Sequence, residues 1–402
     1  MLPRVARGVL LIALYLAAAE ATVRVVARWR PVVRALAEPR LAAGEEATTF
    51  EEFRRLFATH FYPFRRLGNF RCNSLGFADV ELRRELPPGT RRLIVLGDSF
   101  AYGSVPYTHA YLTVAEEALL ARAGSAPGVP SPPLELDNLG MPGAGIEHYR
   151  RVYELLGRGL APDVVAVNLY LGNDLRDFQM RGALDLPTWA RSRLLILAAR
   201  TVRLVRGRAL LGDALLPAPA LDQGGPGGVL VEPDGEYEDD RPPFSTPYFS
   251  DDAFADVMRD EGRELFGPGS PGDRHDWDAL ARALERIVAE VEGDHRRVVL
   301  VLSPSRLQVY PEELARVAAA NALPPDELDA GAPNRWLASW AGAHRVPLID
   351  ETPALRAAAA HGERLYLVND THWNLHGNRL AGAELAARLA ELGLGVPAQP
   401  AS

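Results

Sequence analysis

Residues 92–96 read RLIVL and stop at Gly97. An apolar run this short, closed by a glycine, reads as a buried strand of a parallel sheet. The signature recurs. Residues 134–138 (LELDN) run into the glycine-rich turn LGMPGAG, 163–169 are DVVAVNL, 297–302 are RVVLVL and 346–349 are VPLI. Between these runs, helical spacing covers 113–122, 146–158, 277–291, 333–344 and 375–392. In the third of these, Leu280, Leu284, Ile287 and Val291 repeat at the period that lines one helix face. Strands alternating with helices predict an α/β fold: a parallel sheet covered on both faces, in three α/β/α layers.

The 402-residue chain carries 52 acidic and 44 basic residues, a formal net charge of −8. That balance argues against a strongly basic nucleic-acid binder, and no nucleic-acid partner is expected. All basic side chains other than histidine are Arg, with no Lys anywhere. With abundant Ala, Gly and Pro, this reads as a coding bias rather than a functional signal. The one cysteine, Cys72, excludes an intramolecular disulfide and argues against a Cys-based zinc site.

At the N-terminus, Arg4 and Arg7 precede an unbroken apolar run over 8–19, which Glu20, Thr22 and Arg24 interrupt. Twelve clean residues fit the core of a signal peptide, with small residues at 17–21 for cleavage. Continuation to Val26 fits a signal anchor, and a buried helix is the plain alternative. Arg24, Arg28, Arg30 and Arg34 follow the run and oppose export under the positive-inside rule. The expectation is nonetheless a membrane-anchored protein whose body lies outside the cytoplasm.

The expected organisation is a signal anchor or signal peptide (1–28), a juxtamembrane lead-in (29–88), the first part of the core (89–175), an insertion (176–276) and the second part of the core (277–395). Within the insertion, 189–208 could form an Arg-rich helix, read as a solvated face or a surface lying on anionic lipid. Residues 232–240 form an acidic loop with no metal-ligand spacing.

In an open parallel sheet, ligands sit beyond the carboxyl ends of the strands. The first strand ends in Gly97-Asp98-Ser99-Phe100, the second in Asn138-Leu139-Gly140-Met141-Pro142-Gly143, and the third in Gly172-Asn173-Asp174. Near the C-terminus stands Asn369-Asp370-Thr371-His372-Trp373-Asn374. These blocks contain the parts of an acyl-transfer site. Ser99 is the candidate nucleophile, His372 the base that takes and returns its proton, and Asp370 the carboxylate that orients the imidazole. Candidate donors to the oxyanion are the backbone N–H groups of Ser99 and Gly143 and the side-chain amide of Asn173. Asp98 reads as a helix cap, Asp174 as a loop-stabilising residue and His376 as a surface or capping residue.

The four blocks, in this order and at these strand ends, resemble the SGNH or GDSL esterase/lipase family. The resemblance rests on GDSF at 97–100, NLGMPG at 138–143, LGND at 171–174 and NDTHWN at 369–374, and covers about 71–393 without the insertion. It implies a flavodoxin-like sheet and a serine esterase that needs no cofactor and no metal. Two departures stand out. The family's last block is usually D-x-x-H, whereas this chain has Asp370 and His372 at D-x-H. The three-apart position is Asn369, which cannot be the anionic member. D-x-H followed by Trp resembles the motif of alginate-type O-acetyltransferases. Leu171 also stands where the third block usually has Gly. RCNSLGF at 71–77 and SRLQVY at 305–310 resemble segments of membrane-anchored bacterial members and carry no assigned role.

The resulting expectation is an esterase acting on an acylated small molecule or carbohydrate, such as an O-acetylated carbohydrate of the envelope. An O-acyltransferase using the same residues is the alternative, and a non-catalytic envelope binding or assembly protein is the second.

Overall fold

The computed structural model describes residues 4–30, 47–54, 57, 61–125, 133–174, 194, 197, 227–231, 236–265, 277–321 and 329–395. The chain divides into two compact units, one of residues 1–47 with 181–217, the other of 48–180 with 218–402.

In the first unit, α1 (Arg4–Trp29) is a single 26-residue helix. Glu20 pairs with Arg24 one turn on at 2.8 Å and accepts a hydrogen bond from the Leu194 backbone N–H. The stretch 1–28, expected as a signal anchor or signal peptide, is helical from Arg4 to Trp29. No helix among the described residues is long and apolar enough to cross a membrane. The physical reason lies in the sequence. A span needs about 20 apolar residues, and charges interrupt this run after Ala19. The Arg-rich stretch expected as a helix over 189–208 lies almost wholly outside the described residues.

In the second unit, the lead-in contains α2 (Phe50–Arg54) and two short strands, β1 (Arg66–Leu67) and β2 (Phe70–Arg71). Phe50, Phe53, Phe61 and Phe77 are buried there, so the Phe-rich stretch is part of the core rather than a loose connection. The first core strand is β3 (Arg91–Gly97), followed by α3 (Ser99–Tyr102) and α4 (Tyr111–Arg122). Next come β4 (Leu134–Gly140), α5 (Ile146–Leu155) and β5 (Val164–Tyr170). Beyond these lie β6 (Val229–Leu230), α6 (Asp251–Leu265), α7 (Trp277–Gly293) and β7 (Arg297–Ser303). The chain continues through α8 (Arg306–Val309), α9 (Pro311–Ala320) and α10 (Ala332–His344). It closes with β8 (Leu348–Asp350), α11 (Thr352–Ala360) and α12 (Leu375–Glu391).

Five strands form one parallel sheet in the order β4-β3-β5-β7-β8. Helices α5 and α7 pack together on one face, and α4 and α12 pack together on the other, giving the expected three layers. Strand residues alternate between the faces. Leu93 and Val95 join the core under α4 and α12, with Tyr111, Leu119, Trp373 and Leu385. All the side chains of β4 and β5 are buried, as strands covered on both faces require. A second sheet, β1-β2-β6, has no signature in the sequence; in it β6 from the 176–276 stretch pairs antiparallel with β2.

What positions the site is the approach of α3 to the strand ends. A Cβ built on Gly140 would lie 2.5 Å from the Tyr102 backbone nitrogen, and one on Gly97 would lie 2.7 Å from Ala101 Cβ. Only glycine at both ends lets the four-residue helix sit on the sheet. Asn138 then ties it down, its Nδ2 donating to Ala101 O at 2.8 Å and its Oδ1 accepting from Gly140 N at 2.9 Å. Replacing Gly140 with Ala should lower the unfolding free energy by about 1–3 kcal/mol, the usual cost of overpacking. Urea denaturation of the purified variant measures this, and an unchanged midpoint would contradict the close approach.

Candidate active site

Ser99 opens α3 directly beyond β3. Asp98 caps that helix, its Oδ1 accepting the Phe100 backbone N–H at 2.9 Å. The capping role read from the sequence is therefore what the structure places there. Asp98 is fully buried and its Oδ2 has no hydrogen-bond partner among the described residues. Burial pushes its carboxyl up to about 6, against the opposing pull of the Phe100 N–H and the His372 ring.

Asp370 and His372 share one tight turn. An antiparallel bridge between Tyr366 and Trp373 closes its base, with Leu367 N donating to His372 O at 2.9 Å. Inside the turn, Asp370 Oδ1 accepts from His372 N at 3.2 Å and lies 2.8 Å from His372 Nδ1. The two-residue spacing thus suffices, because the turn folds the carboxylate back onto its own neighbour. Asn369, the three-apart position, faces elsewhere. It adopts φ 50 and donates to Phe249 O at 3.1 Å and Asp251 Oδ1 at 2.7 Å.

The remaining ring nitrogen, His372 Nε2, lies 2.8 Å from Ser99 Oγ. An ionised carboxylate can only accept, so Nδ1 carries the proton and neutral Nε2 offers its lone pair to the Ser99 hydroxyl. Phe100 fixes the ring plane: its own ring lies 5.1 Å from the imidazole at 28° and meets Trp373 edge-on at 5.0 Å. Tyr170 stacks on the far side of Phe100 at 3.9 Å. Ser99 and His372 are half-buried and Asp370 is buried. Burial by itself would lower the imidazole pKa. The hydrogen bond and charge of Asp370, together with the charge of Asp98, outweigh it and hold the group above its ordinary 6.5.

Gly143 and Asn173 follow β4 and β5, the two strands hydrogen-bonded to β3, so both stand at the sheet edge where α3 begins. Gly143 is exposed at φ 73, a left-handed conformation that favours glycine. Asn173 sits in the turn after β5, its Oδ1 buried without a partner among the described residues. Asp174 behaves as the sequence suggests, accepting from Tyr170 N at 3.0 Å and from the Tyr149 hydroxyl at 2.8 Å. His376 lies in the first turn of α12, where its side chain pairs with Glu363. Among the described residues, no group of three His, Cys, Asp or Glu side chains could hold a metal ion.

Two parts of this arrangement have no role readable from the sequence. From the sequence Phe100 is only the tail of GDSF; in the structure its ring packs against the imidazole. Arg306, in the unassigned SRLQVY segment, donates from Nη1 to the carbonyls of Leu367 at 3.1 Å and Asp370 at 3.3 Å. The only signal for it was a charged residue two positions past a strand-end Ser-Pro.

Residues 270–401 match the family model described as SGNH hydrolase-like domain, acetyltransferase AlgX. The match contains Asp370 and His372 but not Ser99. No curated protein matches the chain in sequence. Among solved structures, the chain is similar to the lipase/acylhydrolase from Enterococcus faecalis, at 13% identity and TM-score 0.36, covering 77% of this chain and 100% of that one. It is also similar to an acetylxylan esterase from Geobacillus stearothermophilus, at 12% identity and TM-score 0.36, covering 77% and 97%. For a further acetyl xylan esterase the values are 14% and 0.38, covering 74% and 98%.

Histidine-labelled protein followed by NMR should show His372 titrating above 6.5. Asp98→Asn keeps an oxygen acceptor for the helix cap but removes one negative charge beside the ring. The imidazolium loses that support, so the His372 titration should move to lower pH. A shift upward, or none, would contradict the electrostatic account.

Proposed function

We propose that this protein is a metal-independent serine esterase of the SGNH type, with Ser99, His372 and Asp370 as its catalytic residues. One observation carries the reading: Ser99 Oγ, the His372 ring and the Asp370 carboxylate form a continuous hydrogen-bonded chain, with both links at 2.8 Å. It lies at the carboxyl ends of parallel strands, where this class of sheet binds ligands.

The chemistry follows from the geometry. Ser99 Oγ attacks the acyl carbon of an ester while His372 Nε2 takes the hydroxyl proton. Asp370 accepts from Nδ1–H and stabilises the imidazolium as it forms. Collapse of the tetrahedral adduct breaks the C–O bond, and the departing alkoxide takes the proton back from Nε2. Water then attacks the acyl-serine with the same proton path, releasing the acid and restoring Ser99. The oxyanion falls to the backbone N–H groups of Ser99 and Gly143 and to Asn173 Nδ2, which the β4-β3-β5 order supports by bringing all three to one edge.

We assign acetyl esters of an envelope carbohydrate, or a similar acylated substrate, as the substrate class. The acetyltransferase description of the family model that matches 270–401 supports acetyl as the acyl group. The same match favours one second reading, in which a sugar hydroxyl replaces water and the protein is an O-acyltransferase. For transfer to prevail the acyl-enzyme must be shielded from water. The compartment proposed is outside the cytoplasmic membrane, an assignment supported by the signal-like apolar run at 8–19.

Ser99→Ala should cut kcat/KM on p-nitrophenyl acetate by about 10⁴-fold or more. It should also abolish labelling by a fluorophosphonate probe, while EDTA leaves the unmodified protein fully active. Undiminished turnover in that variant would refute the nucleophile. Absence of both turnover and labelling in the wild-type chain would favour a non-catalytic binding protein. Asn173→Ala should lower kcat by about 10²–10³-fold, the usual loss for one oxyanion donor. Product analysis with p-nitrophenyl acetate as donor and a glycan bearing free hydroxyls as acceptor separates hydrolysis, which releases acetate, from transfer, which yields an O-acetylated glycan.

A further inference from the structure

We propose that Arg306 is a positioning residue for the Ser99–His372–Asp370 site, its guanidinium gripping the turn at Leu367 and at Asp370 itself. The role rests on the esterase reading and adds a residue to it.

Arg306 opens α8, three residues past the end of β7. Nη1 donates to Leu367 O and Asp370 O, while Nε and Nη2 donate to Glu313 at 2.5 and 2.7 Å. The planar fork is held by aromatic faces, with its carbon 5.2 Å from the Phe254 ring, 5.7 Å from Tyr310 and 5.8 Å from Tyr366. One side chain thus satisfies two turn carbonyls and one carboxylate in fixed directions. A lysine offers a point charge instead of that fork.

The rest of the SRLQVY segment acts on the same stretch. The Tyr310 hydroxyl donates to Glu363 O at 3.2 Å and accepts from Leu365 N at 2.8 Å. The Tyr366 hydroxyl donates to Pro304 O at 2.9 Å. A second element meets the turn, since Tyr248 N donates to Val368 O at 3.0 Å and Phe249 N to Asn369 O at 3.2 Å. The catalytic turn is therefore clamped between the end of β7 and the chain at 248–251. Misplacing a reacting group by about 1 Å can cost about 10²-fold in rate, so the clamp has leverage on the chemistry.

The charged and titratable groups around the two residues set the sign of the test. His372 faces Asp370 from its own turn, Asp98 from the cap of α3 and Ser99 from its first position. Arg306 faces Glu313 from α9, with Tyr310 and Tyr366, and Glu261 of α6 bonds the neighbouring Ser305 hydroxyl. Loss of the Arg306 cation acting only through its charge would disfavour the imidazolium less and raise the acidic limb of the rate profile. Loosening of Asp370 removes the contact that holds the imidazolium and lowers that limb.

The experiment uses the full chain with p-nitrophenyl acetate. Arg306→Gln should lower kcat about 10²-fold, leave KM within about two-fold, and move the acidic limb of kcat/KM to lower pH. Arg306→Lys should recover only part of the rate, and Tyr310→Phe should give a smaller fall in kcat with the same direction of shift. Unchanged kcat, a limb that stays in place, or a limb that moves up would each overturn the proposal. If neither Arg306 variant folds, Tyr310→Phe decides by the same criteria. Activity surviving Ser99→Ala sinks the esterase reading itself. An inactive Ser99→Ala beside a fully active Arg306→Gln sinks only the role of Arg306.

Discussion

The hydrogen bond between Ser99 Oγ and His372 Nε2 joins two groups 273 residues apart at 2.8 Å. Neither end can drift for the bond to persist, and the surrounding fold serves to fix both. At the Ser99 end, Gly97 and Gly140 give up their side chains so that α3 can rest on β3 and β4, and Asn138 pins the helix from beneath. At the His372 end, α12 packs on α4, and a turn that is itself hydrogen-bonded holds the ring. The sheet links the two, because both helices on that face lie on the same buried core.

Electrostatics at the site are a contest between burial and charge. Burial favours a neutral imidazole, which is the form that can accept the Ser99 proton. Asp370 and Asp98 favour the imidazolium, which is the form present once the proton has moved. A ring poised between the two states can serve as base and then as acid. Asp98 does this at a cost, since its own carboxylate is buried with one oxygen unpartnered among the described residues. Its helix-cap hydrogen bond offsets part of that cost.

Much of this was legible in the chain. The five strands appeared as short apolar runs because parallel strands buried on both faces have no polar side to interrupt them. The helices appeared by periodicity, and the glycines marked where backbone must approach backbone. The N-terminal apolar run was legible as a helix, and its length, ended by Glu20 and Arg24, falls short of the roughly 20 apolar residues a span needs. The small β1-β2-β6 sheet was not legible, because two-residue strands leave no pattern and their pairing brings together residues 70 and 230. Arg306 was invisible for a related reason: its partners are backbone carbonyls, which every residue has.

By itself, then, the sequence determined the class of the fold, the strand ends at which chemistry could occur, and the residue types able to perform it. Those properties are local, set by hydrophobic period and side-chain identity. Tertiary structure decided that Asp370 rather than Asn369 meets the imidazole, that Phe100 braces it, and that Arg306 reaches the turn. These depend on φ and ψ in one tight turn and on packing between distant segments. No periodicity encodes such contacts, because their energies arise only once the sheet has brought the segments together.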